Sequence, residues 1–225
     1  MEDNMSELAV VRPGGVIFDM DGLMLDTERP CFPLWKRLAE PLGWDIPEEL
    51  ILRTIGIVAN DTRALFLQEY GPDFPYDYIK KELNRLLDED MEKNGIVHKP
   101  GLTVLLDHLA SLGIPLAVAT STRREKALWK LRLAGIEKYF TAFACGDETA
   151  NGKPAPDIFL LAAERLGKPP SDCVGFEDSP AGLQGLYAAG IRAVFVKDMV
   201  EPSGEILATV WRRCTSLGEA VRLFG

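Results

Sequence analysis

Two aspartates, Asp19 and Asp21, follow directly on the apolar run Val16-Ile17-Phe18 and are themselves followed by Gly22. The wider stretch, Val16 to Glu28, reads VIFDMDGLMLDTE. A short apolar run with branched residues and no polar alternation suits a strand buried on both faces of a parallel sheet. Ligands of open α/β sheets bind at the C-terminal edge, and the strand's period of two aims both carboxylates the same way. Such a pair is costly unless something positive lies close by. Magnesium is the natural candidate, because it takes a few hard oxygen ligands and keeps waters that phosphate oxygens can replace.

Other residues could join such a site. Thr120 and Ser121 end the apolar run PLAVATS, where hydroxyls serve a ligand or cap the next helix equally well. Lys153 lies in GKPAPD, ahead of a predicted helix; the two prolines stiffen its loop and aim its side chain, the bland alternative being an exposed loop lysine. Glu177 and Asp178 follow the apolar run ending at Phe176 and precede Ser179 and Pro180. They either complete a metal site or cap a helix.

These residues need elements to hold them. Residues 1 to about 13 read as a loose leader ended by Pro13, Gly14 and Gly15. From Thr27 to about Val97, four stretches mix apolar residues at three- and four-residue spacing with charges, which predicts four helices and no strand. Beyond that block, helix and strand alternate: helices over 102–112, 124–134, 157–166 and 181–189, strands over 115–121, 142–145, 173–176 and 193–196. One more edge element and a final helix are expected through 210–221. The fold class is therefore α/β, a Rossmann-like parallel sheet with helices on both faces and an inserted small helical domain. Its core comprises residues 1–26 and 98–225, its insert 27–97.

The four groups of residues, in this order and each at a predicted strand end, resemble the four motifs of the haloacid dehalogenase superfamily, specifically its phosphatases and phosphomutases. Asp19, Asp21, Gly22, Asp26 and Thr27 match the first motif, Thr120 and Ser121 the second, Lys153 in GKPAPD the third, and GFEDSPAG with Glu177 and Asp178 the fourth. The resemblance implies that Asp19 is the nucleophile, forming an aspartyl phosphate, and that Asp21 is the general acid and base. It implies Thr120, Ser121 and Lys153 as phosphate-binding groups, with Asp26 and Thr27 beside the substrate. Magnesium would be held by Asp19 and Asp178, by the backbone carbonyl of Asp21, and by Glu177 in the outer shell or through water.

The helical insert occupies the place of the family's small cap, which selects the leaving alcohol. Asp26, Thr27, Glu28, Arg29, Trp35 and the loop Gly56 to Asp61 are the candidate specificity residues. Among subgroups the chain is most similar to β-phosphoglucomutase and the sugar-phosphate phosphatases beside it. That mutase subgroup uses a histidine where Cys31 stands here and a cap-loop arginine, absent from GIVAND. These departures favour a phosphatase acting on a small phosphorylated metabolite, a sugar or polyol phosphate, over the mutase alternative. Asp21 argues against a dehalogenase, and a phosphonate hydrolase would need a Schiff-base lysine in the cap, where Lys36 by its helix spacing reads equally as a surface residue. A regulatory protein that binds metal or phosphate without turnover would show loss of the nucleophile or acid, and both are present.

A formal net charge of −9 over 225 residues argues against nucleic acid as a partner. The start, MEDNMSELAV, lacks the pattern of a secretory signal, and no apolar stretch approaches a membrane span. Four scattered cysteines are expected to be reduced, in a cytoplasmic protein and a monomer. His98 and His108 are expected to be structural or solvated, the four tryptophans to be packing residues, and 88–93 to be a solvated helix face.

Overall fold

The computed structural model describes residues 10–55 and 59–225, with the side chains of residues 59 and 60 left aside. Strand β1 (Gly15–Phe18) is buried along its whole length. It lies at the centre of a six-stranded sheet with β2 (Leu116–Thr120), β3 (Ala142–Cys145), β4 (Cys173–Glu177), β5 (Arg192–Val196) and β6 (Arg212–Cys214). The order is β3-β2-β1-β4-β5-β6 and every pair is parallel. Strands on one side of β1 run β2 then β3, and on the other β4 then β5, so the order reverses at β1. That reversal opens a crevice at the strand C-termini.

Strand periodicity sorts the core into two layers. Val16 and Phe18 of β1, Leu116 and Val118 of β2, and Val174 and Phe176 of β4 face α5 (Leu102–Ser111) and α6 (Arg124–Leu133). Ile17, Ala117 and Cys173 face the other way, onto α7 (Asp157–Leu166) and α8 (Pro180–Ala188). Small residues on that second face, Ala117, Ala119, Ala142 and Ala144, leave room for Phe159 and the rest of α7 to lie close to the sheet.

Helices α1 (Cys31–Ala39), α2 (Glu48–Leu52), α3 (Ala59–Tyr70) and α4 (Tyr76–Asn94) form a third cluster with its own apolar centre. Trp35 stacks on Phe66 with ring centroids 4.6 Å apart, and Phe74 and Tyr76 close around them. The two segments joining this cluster to the sheet run side by side: Asp26 N donates to Val97 O and Lys99 N to Met24 O, both at 2.9 Å.

The expected C-terminal edge element is β6, at the rim of the sheet, and two features beside it differ from expectation. A short helix, α9 (Gly204–Ala208), follows β5, capped by Ser203 Oγ, which accepts from Ile206 N. Five residues are too few to show a helical period in the sequence. The final helix is a 3₁₀ segment, Gly218–Leu223, packed through Ala220 and Leu223 against the face that holds α5. No helix among the described residues is long and apolar enough to cross a membrane.

Candidate active site

Asp19 leaves β1 with its backbone N–H donating to Phe176 O at 3.1 Å, so the ends of β1 and β4 are locked together. Its carboxylate accepts from Lys153 Nζ, and the same ammonium donates to Glu177 Oε1 at 2.5 Å. Lys153 is 4% exposed. Burial would discharge it, but Asp19 and Glu177 outweigh that effect and hold its pKa above the ordinary lysine value. The loop before α7 thus carries Lys153 into the sheet edge, as its two prolines suggest.

Glu177 is saturated by its surroundings. Oε2 accepts from the backbone N–H of Asp178 and of Ser179 and from Ser179 Oγ, each at 3.0 Å. Ser179 is the N-cap of α8, its Oγ accepting from Gly182 N. The capping role considered for the acids therefore falls to Ser179, while Glu177 fixes Lys153.

Asp178 is different: it is 3% exposed, and Oδ1 has no hydrogen-bond partner among the described residues. Carboxylate oxygens of Asp19, Glu177 and Asp178 all lie within 4.8 Å of one another. Three carboxylates against one ammonium leave two negative charges, and burial with mutual repulsion raises the pKa of Asp178. Asp19 is pushed up to about 7 by burial, opposed by Lys153 and reinforced by Glu177. A buried acceptor without a donor and a net charge of that sign fit a divalent cation with oxygen ligands. Gly22 makes the approach possible: its φ is +85°, and a Cβ there would lie 2.5 Å from Asp178 Oδ2.

Asp21 is held apart from this cluster. Oδ1 accepts from Thr27 Oγ1 at 2.7 Å and from Lys130 Nζ at 2.5 Å, and Oδ2 accepts from Thr122 Oγ1 at 2.7 Å. Burial works against its charge, yet Lys130 and the two hydroxyls prevail and hold its pKa below the ordinary value. Its side-chain oxygens are thus committed away from the three-carboxylate cluster.

The two aspartates open into a cavity of about 520 Å³ between the sheet edge and the helical cluster. Thr120, Ser121, Thr27, Glu28 and Trp35 line it, as do Lys153 and Asp178. Asp26 does not; its carboxylate accepts from Arg29 at 3.0 Å, and Arg29 also binds Asp198. Asp26 and Arg29 thus form a surface pair rather than a wall of the cavity. Of the candidate loop Gly56 to Asp61, residues 56–58 and the side chains of 59 and 60 lie outside the described residues. The 88–93 face is also not wholly solvated, because Asp88 and Met91 line the cavity and Asp88 pairs with Lys126.

Several cavity and edge residues were not foreseen. Arg123, Lys126 and Lys130 recur at three- and four-residue spacing on α6 and its cap, a spacing that puts them on one face. Lys80 of α4 also lines the cavity, 5.8 Å from the centre of the Trp35 ring, and burial lowers its pKa. Cys31 sits beside it as an inert thiol, its pKa pushed up to about 11 by burial. Asp198 follows β5, where Lys99 bonds Oδ1 at 2.6 Å. His98 and His108 bond the backbone carbonyls of Ala134 and Phe224, away from the site.

Residues 14–190 match the family model of haloacid dehalogenase-like hydrolases. A phosphorylated carbohydrates phosphatase of Thermotoga maritima is 36% identical over 184 residues, covering 80% of this chain and 83% of that protein. A β-phosphoglucomutase of Bacillus subtilis is 32% identical over 194 residues, covering 80% and 82%. The crystal structure of CbbY from Rhodobacter sphaeroides in complex with phosphate superposes with a TM-score of 0.76 at 26% identity, covering 93% of this chain and 96% of that one. With its parallel sheet and its acids at the central strand ends, this chain belongs to the haloacid dehalogenase-like hydrolases and is an enzyme of that family.

Proposed function

We propose that the protein is a magnesium-dependent phosphatase that hydrolyses a small phosphorylated metabolite, of the sugar or polyol phosphate class, through a phosphoryl group carried on Asp19. The observation that carries this reading is Asp19 itself, buried between Lys153 and the unpartnered Asp178 and open to the cavity. Similarity to a phosphorylated carbohydrates phosphatase supports the substrate class, and similarity to a protein seen in complex with phosphate supports a phosphate site.

A phosphate monoester resists attack because its oxygens are anionic, so the site must align a nucleophile, offset charge and protonate the leaving oxygen. Asp19 attacks phosphorus and the bond to the leaving oxygen breaks, while Asp21, which must first take up a proton against the pull of Lys130 and the two hydroxyls, supplies that proton to the leaving oxygen. The resulting carboxylate of Asp21 then takes a proton from the water that attacks phosphorus, which releases phosphate and frees Asp19. Lys153 and Thr120 face the phosphoryl oxygens and offset their charge. Asp19 and Asp178 would hold the metal through side chains, Asp21 through its carbonyl and Glu177 through water; the metal when bound supplies further charge compensation to the phosphoryl oxygens.

Residues 27–97 act in this reading as a cap over a core of 1–26 and 98–225. Their separate apolar centre supports it, as do the paired linkers. Trp35, Glu28 and Lys80 are among the cap-side groups that line the cavity where the leaving alcohol would lie. The thiol of Cys31, protonated at neutral pH, offers nothing in place of the histidine of the mutase subgroup, which favours transfer to water.

Magnesium-dependent phosphate release from a panel of sugar, polyol and nucleoside monophosphates, run beside Asp19→Asn, tests the reading. Release by the native protein alone is expected. No release from any compound would overturn it, and isomerised sugar phosphate without release would point to the mutase.

A further inference from the structure

Asp19 and Asp21 are held by different lysines. Lys153 serves Asp19 and Glu177 together, whereas Lys130 Nζ, whose side chain is 12% exposed, donates to Asp21. We propose that Lys130 is a positioning residue that fixes the Asp21 carboxylate where it exchanges a proton with the leaving oxygen and with water. The proposal rests on the phosphatase reading above.

Asp21 lies past the end of β1, where its backbone makes only an isolated bridge to Leu25, and its side chain is anchored from three separate segments. Thr27 belongs to the linker that leads into the helical cluster, Thr122 to the loop after β2, and Lys130 to α6. The Thr27 tether depends on how the helical cluster sits. Thr122 and Lys130 belong to the sheet-and-helix core, and of the three tethers Lys130 alone is charged. Its attraction to a carboxylate is stronger than a neutral hydrogen bond and less demanding in angle. A proton donor displaced by about 1 Å can lose about 10²-fold in rate, so a tether of this kind acts on turnover rather than on binding.

Helix α6 is placed to do this. Ala127 and Leu131 on its inner face are fully buried against the sheet, which fixes the helix and gives Lys130, beside Leu131, a firm base. Of the cavity's other cations, Lys126 pairs with Asp88 and lies 3.7 Å from the centre of the Trp129 ring, and Lys80 lies 5.8 Å from that of Trp35.

Lys130→Met and Lys130→Arg decide the matter, measured on an alkyl phosphate from the panel and on p-nitrophenyl phosphate, whose phenolate leaves without needing a proton. Lys130→Met is expected to lower kcat on the alkyl phosphate about 10- to 100-fold, part of what general acid catalysis contributes. KM and inhibition by inorganic phosphate should stay within about twofold of native, since no binding interaction is removed. In kcat/KM, which reports transfer to Asp19 and not the later attack of water, the aryl phosphate should lose much less than the alkyl phosphate, and Lys130→Arg should recover part of the alkyl rate. A raised KM with weakened phosphate inhibition would overturn the proposal in favour of direct phosphate binding, and equal losses of kcat/KM on both substrates, or no loss, would also overturn it. If the native protein releases phosphate from no compound, the phosphatase reading fails. The tether is then judged by urea unfolding of Lys130→Met, Asp21→Asn and the double variant, where additive effects would overturn it and coupled effects would keep it.

Discussion

Glu177 occupies the space that a side chain at Gly182 would need: a Cβ built there falls 1.8 Å from Oε1 and 1.9 Å from the carboxyl carbon. The first turn of α8 and the fully buried end of β4 are thereby fitted to each other around one carboxylate. Gly182→Ala should push Glu177 off Lys153, at a cost of about 1–3 kcal/mol for overpacking a closed site. Lower stability in urea together with reduced phosphate release is expected. Unchanged stability and turnover would show that Glu177 is free to move and does not hold Lys153.

Stability of the metal-free protein should fall as pH rises from about 5 to 8. Asp19 moves from an ordinary 3.8 to about 7 and Glu28 from 4.5 to about 8, both chiefly through burial, and Asp178 is raised as well. The unfolded chain binds fewer protons than the folded one in that interval, so unfolding becomes easier with each increment of pH. Asp21, Glu148 and Glu219, held below their ordinary values, are ionised in both states there and add nothing to the slope. Magnesium should raise Tm more at pH 8 than at pH 5. A Tm that is level or rising across the interval, with no response to magnesium, would contradict the assignment of the acidic cluster.

Trp35→Ala tests whether 27–97 is a separate unit. Trp35 stacks on Phe66 and lies 5.9 Å from Tyr76, at the centre of the helical cluster. Truncating a buried aromatic of this kind costs about 3–5 kcal/mol. Amide exchange should accelerate across 31–94 while the sheet strands keep their protection. Uniform loss of protection would mean that helices and sheet unfold together, and the cap assignment would fall.

Much of this site could be read from the chain because its parts are local. Asp19, Thr120, Lys153, Glu177 and Asp178 each sit at or just beyond a short apolar run or before a helix, and a parallel sheet brings such positions to one edge. Lys130 could not be read in that way. It meets Asp21 across 109 positions, and a lysine in a charged helix is usually solvated; the one sequence signal was its spacing with Arg123 and Lys126. Asp26 matches the motif by position, and the pairing that the motif does not show is with Arg29, three residues on, which binds its carboxylate. The segments after β5 were hard to read because α9 has five residues and β6 three.

The central claim is that Asp19 carries the phosphoryl group. Acid quenching of the protein during turnover of its best panel substrate with magnesium, followed by mass analysis of its peptides, measures this directly. A phosphoryl adduct on the peptide bearing Asp19, absent without substrate and absent in Asp19→Asn, is the predicted result. Turnover that persists in Asp19→Asn, or an adduct on another residue, would contradict the account.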